Sequence, residues 1–126
     1  MSLSSHKIMP LQLNENNCVL IQYHDMVHIE LADIEAILND IKVFTQGRPL
    51  KRLVIIGKNS TITSEARAFL QEGNHRDRKK IIAEAILVTS LTQKMATNFY
   101  LRFIKDDFPS KFFTDIHKTK EWLRKF

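Results

Sequence analysis

The sequence predicts an α/β domain with a mixed, mostly parallel sheet of about five strands flanked by helices. The hydrophobic pattern gives the order β-β-α-β-α-β-α-β-α, a hairpin followed by alternating strands and helices. The apolar run at 53–56 (LVII) is typical of a parallel strand that is covered on both faces. The 126 residues, of which 44% are hydrophobic, are enough for one domain with its own core, spanning 1–126.

The chain begins with a predicted hairpin. Residues 7–13 (KIMPLQL) and 18–23 (CVLIQY) are predicted to form two strands, and the Asn-rich segment 14–17 joins them in a turn. Pro10 has no N–H to donate, so we expect the first strand at the edge of the sheet. Residues 24–30 are expected to bend and to extend the second strand briefly.

A helix and the central strand follow the hairpin. Apolar residues at steps of three and four predict a helix over 31–45, and Gly47 and Pro49 end it. The central strand is predicted over 52–57, where Gly57 breaks the apolar run. Function in open α/β sheets tends to lie where strands end and helices begin, so we expect a site in the loop after this strand.

The next strand–helix unit has the same signals. Thr63 or Ser64 can cap a helix over about 64–72 by accepting a hydrogen bond from its first turn. Residues 82–89 (IAEAILVT) then form another buried strand, which Glu84 interrupts.

The last unit completes the alternation. The four residues that begin at Ser90 have the capping-box pattern and precede a predicted helix over about 91–104. A short strand is predicted over 110–114, and Thr114 or Asp115 can cap the final helix.

The order of elements, the length and three segments resemble the STAS / SpoIIAA-like group, whose founding members are bacterial anti-sigma-factor antagonists. The segments are LVIIGKNSTITSEARAFL, AILVTSLTQKMATNFYLRF and FPSKFFTDIHKTKEWLRKF. The last segment is similar to the ending of small uncharacterised bacterial proteins of that group, through Pro109, Phe113, Asp115, Trp122 and Leu123. The resemblance implies a SpoIIAA-like sheet flanked by helices, with no enzyme activity and no cofactor.

The resemblance also implies a candidate site in the loop after the central strand. In anti-sigma-factor antagonists, a Ser that opens the following helix is phosphorylated within an Asp-Ser-Ser-Gly-like turn. Ser60 is the nearest match, although the acidic residue and the following Gly are missing here. The candidate partner-binding or phosphoacceptor turn is Lys58, Asn59, Ser60 and Thr61. Turn and cap chemistry needs the same residue types, so that alternative stays open.

A second candidate site lies in the predicted helix over 91–104. It carries more large apolar residues than one narrow stripe needs, and these could form an exposed patch or wall a pocket: Met95, Phe99, Tyr100 and Phe103. Ordinary core packing explains most of them. The alternative function is therefore that of a carrier, which binds an apolar small molecule or lipid in a pocket lined by the aromatic helix 91–104.

Several other functions lack the residues they need. Gly57-Lys58 is not a phosphate-binding loop, because Arg52 stands where the first Gly is required. His24 and His28 have no third metal ligand nearby, and we expect no metal. The densest basic cluster has no aromatic residues beside it, so we expect no nucleic-acid partner despite the net charge of +5. That cluster is Arg76, Arg78, Lys79 and Lys80.

Two remaining sequence features concern the setting in which the chain works. Cys18 is the only cysteine and cannot form a disulfide within the chain, which favours a reducing, cytoplasmic setting. We expect Cys18 to be a small side chain of the core. No apolar run approaches the roughly 20 residues that span a bilayer, so we expect no membrane insertion. The resemblance, the strand–turn–helix at 53–70 and the lack of a catalytic set together predict a non-enzymatic regulatory or protein-interaction module that binds a protein partner and self-associates, for example as a homodimer.

Overall fold

The computed structural model describes residues 7–14, 17–71, 81–89 and 109–126. The strands in these ranges are β1 (Gln12–Leu13), β2 (Cys18–Gln22), β3 (His28–Ile29), β4 (Leu50–Ile55), β5 (Thr61–Ile62), β6 (Ile81–Leu87) and β7 (Ser110–Phe113). The helices are α1 (Leu31–Thr45), α2 (Ser64–Gln71) and α3 (Ile116–Leu123). The fold is therefore of the mixed α/β class that the sequence predicts.

The main sheet has five strands within the described residues, in the order β1-β2-β4-β6-β7. Its first pair, β1 and β2, is antiparallel, and the other three pairs are parallel. The prediction of a mostly parallel sheet with an antiparallel first strand is confirmed. β1 lies at an edge next to Pro10, where a residue without an N–H is tolerated.

The two faces of the sheet are both covered. Leu50 belongs to a buried cluster with residues of α1 and with Ala66 of α2. Leu53, on the opposite face of β4, packs in a second cluster with Leu123 of α3. Because successive side chains of a strand point to opposite faces, the apolar run of β4 supplies both clusters, which is why it lacks an alternating pattern.

The ends of α1 are set by local hydrogen bonds. At the N-terminus, Glu30 and Asp33 form a reciprocal capping box, in which Glu30 N donates to Asp33 Oδ2 over 2.8 Å. At the C-terminus, Gln46 takes the left-handed conformation, and the backbone φ of Gly47 is +75°. The predicted helix bounds are confirmed at both ends.

The other two helices are capped by side chains that the sequence singled out. Thr63 Oγ1 accepts a hydrogen bond from Ala66 N over 3.1 Å at the start of α2. Asp115 Oδ1 accepts from His117 N over 2.7 Å and from Lys118 N over 3.2 Å at the start of α3. Of each pair of candidate caps, the structure therefore selects Thr63 and Asp115.

The interpretation of 24–30 as an extension of the second strand is wrong. Tyr23 N still donates to Ile55 O, but Met26 then takes a left-handed conformation with a φ of +58°. The chain turns out of the main sheet, and β3 pairs in parallel with β5 in a separate two-stranded sheet. Sequence analysis predicted a turn at 58–61 and missed β5, because a strand of two residues has no detectable hydrophobic periodicity.

Other predicted elements differ from the structure in their bounds. The predicted strand 7–13 is regular only at Gln12–Leu13, and Ile8 makes an isolated bridge to Tyr23 on the far side of Pro10. The central strand begins at Leu50, before the predicted start at 52. The predicted helix over 91–104 and its cap Ser90 lie outside the described residues and stay a prediction.

Candidate functional site

Two loops join at the carboxyl ends of β2 and β4. We call residues 24–28 and 57–61 together the two-loop surface. Lys58 N donates to Asp25 Oδ1 over 2.7 Å, and Met26 N donates to Lys58 O over 2.8 Å. Thr61 N donates to Val27 O over 3.0 Å and continues the contact into the pairing of β3 with β5. The predicted turn is thus one half of a surface with two parts.

The Ser60 hydroxyl lies between the two loops. Its Oγ donates to His24 O over 2.9 Å and accepts from Val27 N over 3.2 Å, and the residue is half-buried. This side chain therefore joins the two loops, and it does so through partners 33 and 36 positions away rather than through a local turn bond. Its phosphorylation stays a prediction, and a phosphate there would remove the hydroxyl hydrogen that Ser60 donates to His24 O.

Gly57 is where the loops approach most closely. A Cβ atom at Gly57 would lie 2.2 Å from the carbonyl oxygen of His24, well inside van der Waals contact. Only a residue without a side chain fits between β4 and the neighbouring loop. The sequence marks Gly57 as the end of the strand, but the contact across the loops explains why Gly is required.

The outer side of the two-loop surface carries exposed side chains. Lys58 and Asn59 are exposed, and Asn59 has a left-handed φ of +58°. Met26 is 78% exposed and left-handed as well, which is uncommon for a residue other than Gly, Asn or Asp. Sequence analysis missed Met26, and the available signal was a large apolar residue directly after His24 and Asp25.

One of the histidines of this surface, His28, is hydrogen-bonded to the neighbouring strand. Nδ1 of His28 lies 2.6 Å from Oγ1 of Thr61, so one ring nitrogen already has a partner. Among residues 7–14, 17–71, 81–89 and 109–126, no three His, Cys, Asp or Glu side chains come together as metal ligands. The hydrogen bond links β3 to β5 at the base of the two-loop surface.

An ion pair fixes the segment behind the two loops. Lys7 Nζ lies 2.6 Å from Asp33 Oδ2 and donates to His28 O over 2.8 Å. One ammonium group therefore connects the N-terminal segment, β3 and the first turn of α1. Because Asp33 also caps α1, these contacts link the start of that helix to His28 at one end of the two-loop surface.

Two titratable groups of the core, the Cys18 thiol and the Tyr23 phenol, are held in their neutral forms. Burial raises the pKa of the Cys18 thiol to about 11. The charge of Lys51 and a hydrogen bond with the backbone of Leu53 lower this pKa, but their effect is smaller than that of burial. Burial is also the main cause that raises the pKa of the Tyr23 phenol, with Asp33 adding to the effect. The prediction that Cys18 is a small core side chain agrees with its buried position.

The other predicted sites fall on parts of the chain that are not described. Met95, Phe99, Tyr100 and Phe103 lie outside the described residues, as does the basic cluster within 76–80. The nearby strand β7 is described. Phe112 is buried in a cluster with Ile86 and Val88, and the ring centroid of Phe113 lies 5.7 Å from that of Trp122.

The chain belongs to the family described as "Domain of unknown function (DUF7793)", whose family model matches residues 11–126. A comparison with curated proteins finds no match. Among solved structures, the chain is similar to an uncharacterised protein from the DUF3478 family with a SpoIIAA-like fold from Shewanella loihica PV-4. The identity is 18%, the alignment covers 92% of this chain and 91% of that one, and the TM-score is 0.61.

The structural comparison confirms the predicted fold. The chain has a SpoIIAA-like fold, and the five-stranded, mostly parallel sheet with its flanking helices matches it. The described part of the chain contains no helix with both the length and the apolar character needed to cross a membrane.

Proposed function

We propose that this chain, as a member of the DUF7793 family with a SpoIIAA-like fold, is a non-enzymatic regulatory or protein-interaction module. Its partner is a protein, and the contact is made by the two-loop surface. The observation that carries the proposal is the joining of two loops, at the carboxyl edge of the sheet, into one hydrogen-bonded unit that exposes Met26 and Lys58.

The shape of this surface suits binding. Met26 and Asn59 are both held in left-handed conformations, which are sparsely populated in free chains. The hydrogen bonds between the loops hold them, so little conformational entropy remains to be lost when a partner docks. An exposed Met supplies a flexible apolar contact, as at other protein-binding surfaces.

The chemistry of the described residues supports a role without catalysis. The Ser60 hydroxyl donates to the His24 carbonyl oxygen rather than to a general base. The Cys18 thiol is buried, and its pKa is raised. We further propose that phosphorylation of Ser60 would regulate docking. A phosphate would remove the hydrogen bond from Ser60 to His24 O and add negative charge between the loops.

Charge and polarity changes at the two-loop surface test the proposal. We expect Met26→Asn with Lys58→Glu to abolish recovery of a protein partner by immobilised protein from a lysate of the native host. Both side chains are exposed, and Asn tolerates the left-handed conformation, so the fold should be retained. Lys118→Glu, on the exposed side of α3, is the matched control and should leave recovery unchanged.

The measurement is quantitative mass spectrometry of the recovered proteins, followed by titration of the purified partner against each variant. Circular dichroism verifies the fold of each variant. If every protein that the wild type recovers is recovered equally by the double variant, the two-loop surface is not the docking site and the proposal fails.

Self-association is part of the same proposal. The outer side of α1 exposes apolar side chains, with Val43 71% exposed and Phe44 next to it. An apolar pair of this kind supports a contact between two copies. Light scattering coupled to gel filtration is expected to give the mass of a homodimer, and Val43→Lys should reduce it to that of one chain. A single-chain mass for the wild type would contradict this part.

The carrier function remains the alternative. It places an apolar small molecule or lipid in a pocket lined by the aromatic helix predicted over 91–104, with Phe112 and Phe113 nearby. Native mass spectrometry of the purified protein should then show a bound ligand. An unliganded mass, with no thermal shift on adding lipids, would exclude the carrier function.

A further inference from the structure

A half-open cavity lies on the face of the sheet that α1 covers. Its volume is about 180 Å³, and it is enclosed by the C-terminal half of α1, the start of β4 and the loop between them. Its lining residues are not those of the two-loop surface, so a ligand bound in the cavity would be independent of the proposed protein partner. A water molecule occupies roughly 30 Å³ in the liquid, so the cavity has room for a small organic molecule.

The inner walls of the cavity are apolar. Val19 of β2 and Leu50 of β4 come from the sheet, and both are buried. Leu38 and Ile41 come from successive turns of α1 and lie above them, and Ile81 begins β6. A hydrocarbon group placed there would lose contact with water on several sides, which is the main source of binding energy in such sites.

The charged side chains that line the cavity are all cations. Lys42, Arg48 and Arg52 contribute to its lining, and none of the described residues that line it is acidic. Arg52 is 8% exposed and forms an ion pair with Glu84 of β6, Nη2 to Oε2 over 2.7 Å. Glu84 compensates the charge of Arg52, so Lys42 and Arg48 leave the site positive.

Arg48 is held next to the end of α1. Its Nε donates to Thr45 O over 3.0 Å, and its backbone N donates to the same oxygen over 3.1 Å. The C-terminus of a helix carries a partial negative charge that would repel an anion, and this cation offsets it. Thr45 is 4% exposed and lines the cavity, which adds a hydroxyl that can donate a hydrogen bond to an anion.

We propose that this cavity binds a small amphipathic carboxylate. The hydrocarbon part lies against Leu38, Ile41 and Leu50, and the carboxylate faces Arg48 and Lys42 at the opening. The volume suits an acid of about eight non-hydrogen atoms with its hydration at the opening. Charge-assisted hydrogen bonds from Arg to a carboxylate are stronger than neutral ones, and they distinguish an acid from a neutral molecule of equal length.

Titrations with hexanoate and hexanol, monitored by amide-resolved NMR, test the proposal on the full chain. We expect hexanoate to shift the amides of residues 38–52 and to bind about tenfold more tightly than hexanol. Equal affinities for the acid and the alcohol, shifts centred elsewhere, or no binding up to the solubility of hexanoate would each overturn it.

Variants of Arg48 separate recognition from packing. Arg48 is exposed, so Arg48→Gln should fold normally and bind hexanoate about tenfold more weakly, with hexanol binding unchanged. Arg48→Lys should restore part of the affinity, because it keeps the charge. Lys58→Gln removes a cation from the two-loop surface and serves as control, with unchanged affinity expected. Full affinity for hexanoate in Arg48→Gln would show that no such carboxylate contact exists.

Discussion

Arg52 and Glu84 form an ion pair between the neighbouring strands β4 and β6, with Nη2 of Arg52 2.7 Å from Oε2 of Glu84. The two residues are direct partners in the strand register, and each is 8% exposed. Glu84 interrupts an otherwise apolar strand because it compensates a cation that is buried with it. Removing one partner of a buried ion pair is costly, because the remaining charge stays buried without a counter-charge.

Removal of one partner of this pair should be strongly destabilising. We expect Glu84→Leu to lower the free energy of unfolding by about 3–5 kcal/mol, because a buried guanidinium loses its counter-charge. Arg52→Leu combined with Glu84→Leu should cost less than Glu84→Leu alone. Urea unfolding of the wild type and the variants measures both. A double variant less stable than either single variant would contradict the interpretation.

Gly57→Ala should disrupt the contact between the two loops. The new Cβ would lie 2.2 Å from the His24 carbonyl oxygen, so a backbone segment must move, at a cost of about 1–3 kcal/mol. Gly47→Ala is the control, because a Cβ there meets nothing within 4 Å and only the φ of +75° opposes it. We expect the control to cost about 1 kcal/mol. Urea unfolding midpoints compare the two, and a neutral Gly57→Ala would show that the loops are not tightly apposed.

Ser60→Ala tests whether the hydroxyl holds the loops together. The variant loses the hydrogen bonds to His24 O and from Val27 N, and we expect a loss of about 1–2 kcal/mol in stability. Amide exchange at Val27 should become faster. Ser64→Ala, at an exposed position in the first turn of α2, should change stability by less than about 0.5 kcal/mol. Unchanged exchange at Val27 in Ser60→Ala would argue against the role of the hydroxyl.

The cap of α3 should make stability depend on pH. Hydrogen bonds from the N–H groups of Lys118 and His117 hold the pKa of Asp115 below its ordinary value of 3.8. The carboxylate therefore stabilises the fold at a pH above 3.8, and this contribution is lost as the pH falls through the lowered pKa.

Thermal unfolding of Asp115→Asn and Asp115→Ala measures this contribution. Asn keeps a capping oxygen but has no charge. The difference in unfolding temperature between wild type and Asp115→Asn should therefore become smaller in acid, where the wild-type carboxylate is also neutral. Ala should be the less stable of the two at neutral pH. A wild type–Asn difference that stays constant from neutral pH into the acid range would contradict the role of the charge.

The elements that sequence analysis located best are those whose signals are local. The bounds of α1 follow from its apolar spacing and from Gly47, because a helix is set by residues three and four apart. The caps Thr63 and Asp115 were named as candidates for the same reason. β3 and β5 were missed, since each is a strand of two residues that exists only through its pairing with the other.

The candidate site divides in the same way. The exit loop with Lys58, Asn59, Ser60 and Thr61 was located from a strand end followed by a helix cap. Its second half, with Met26, comes from a segment more than 30 positions earlier in the chain, as the bond between Ser60 and His24, 36 residues apart, illustrates. No local pattern links the two segments, because their contact depends on β2 and β4 being neighbours in the sheet.

The sequence by itself determined the class of fold, the length of α1 and the turn after the central strand. These depend on side-chain periodicity and on the backbone preferences of Gly, Pro and capping residues, which act over a few positions. The tertiary structure alone decided that Glu84 faces Arg52, that Ser60 joins two loops, and that α1 leaves a cavity over β4. Each of these contacts joins segments that are distant in the chain, and they become neighbours only when the sheet has formed.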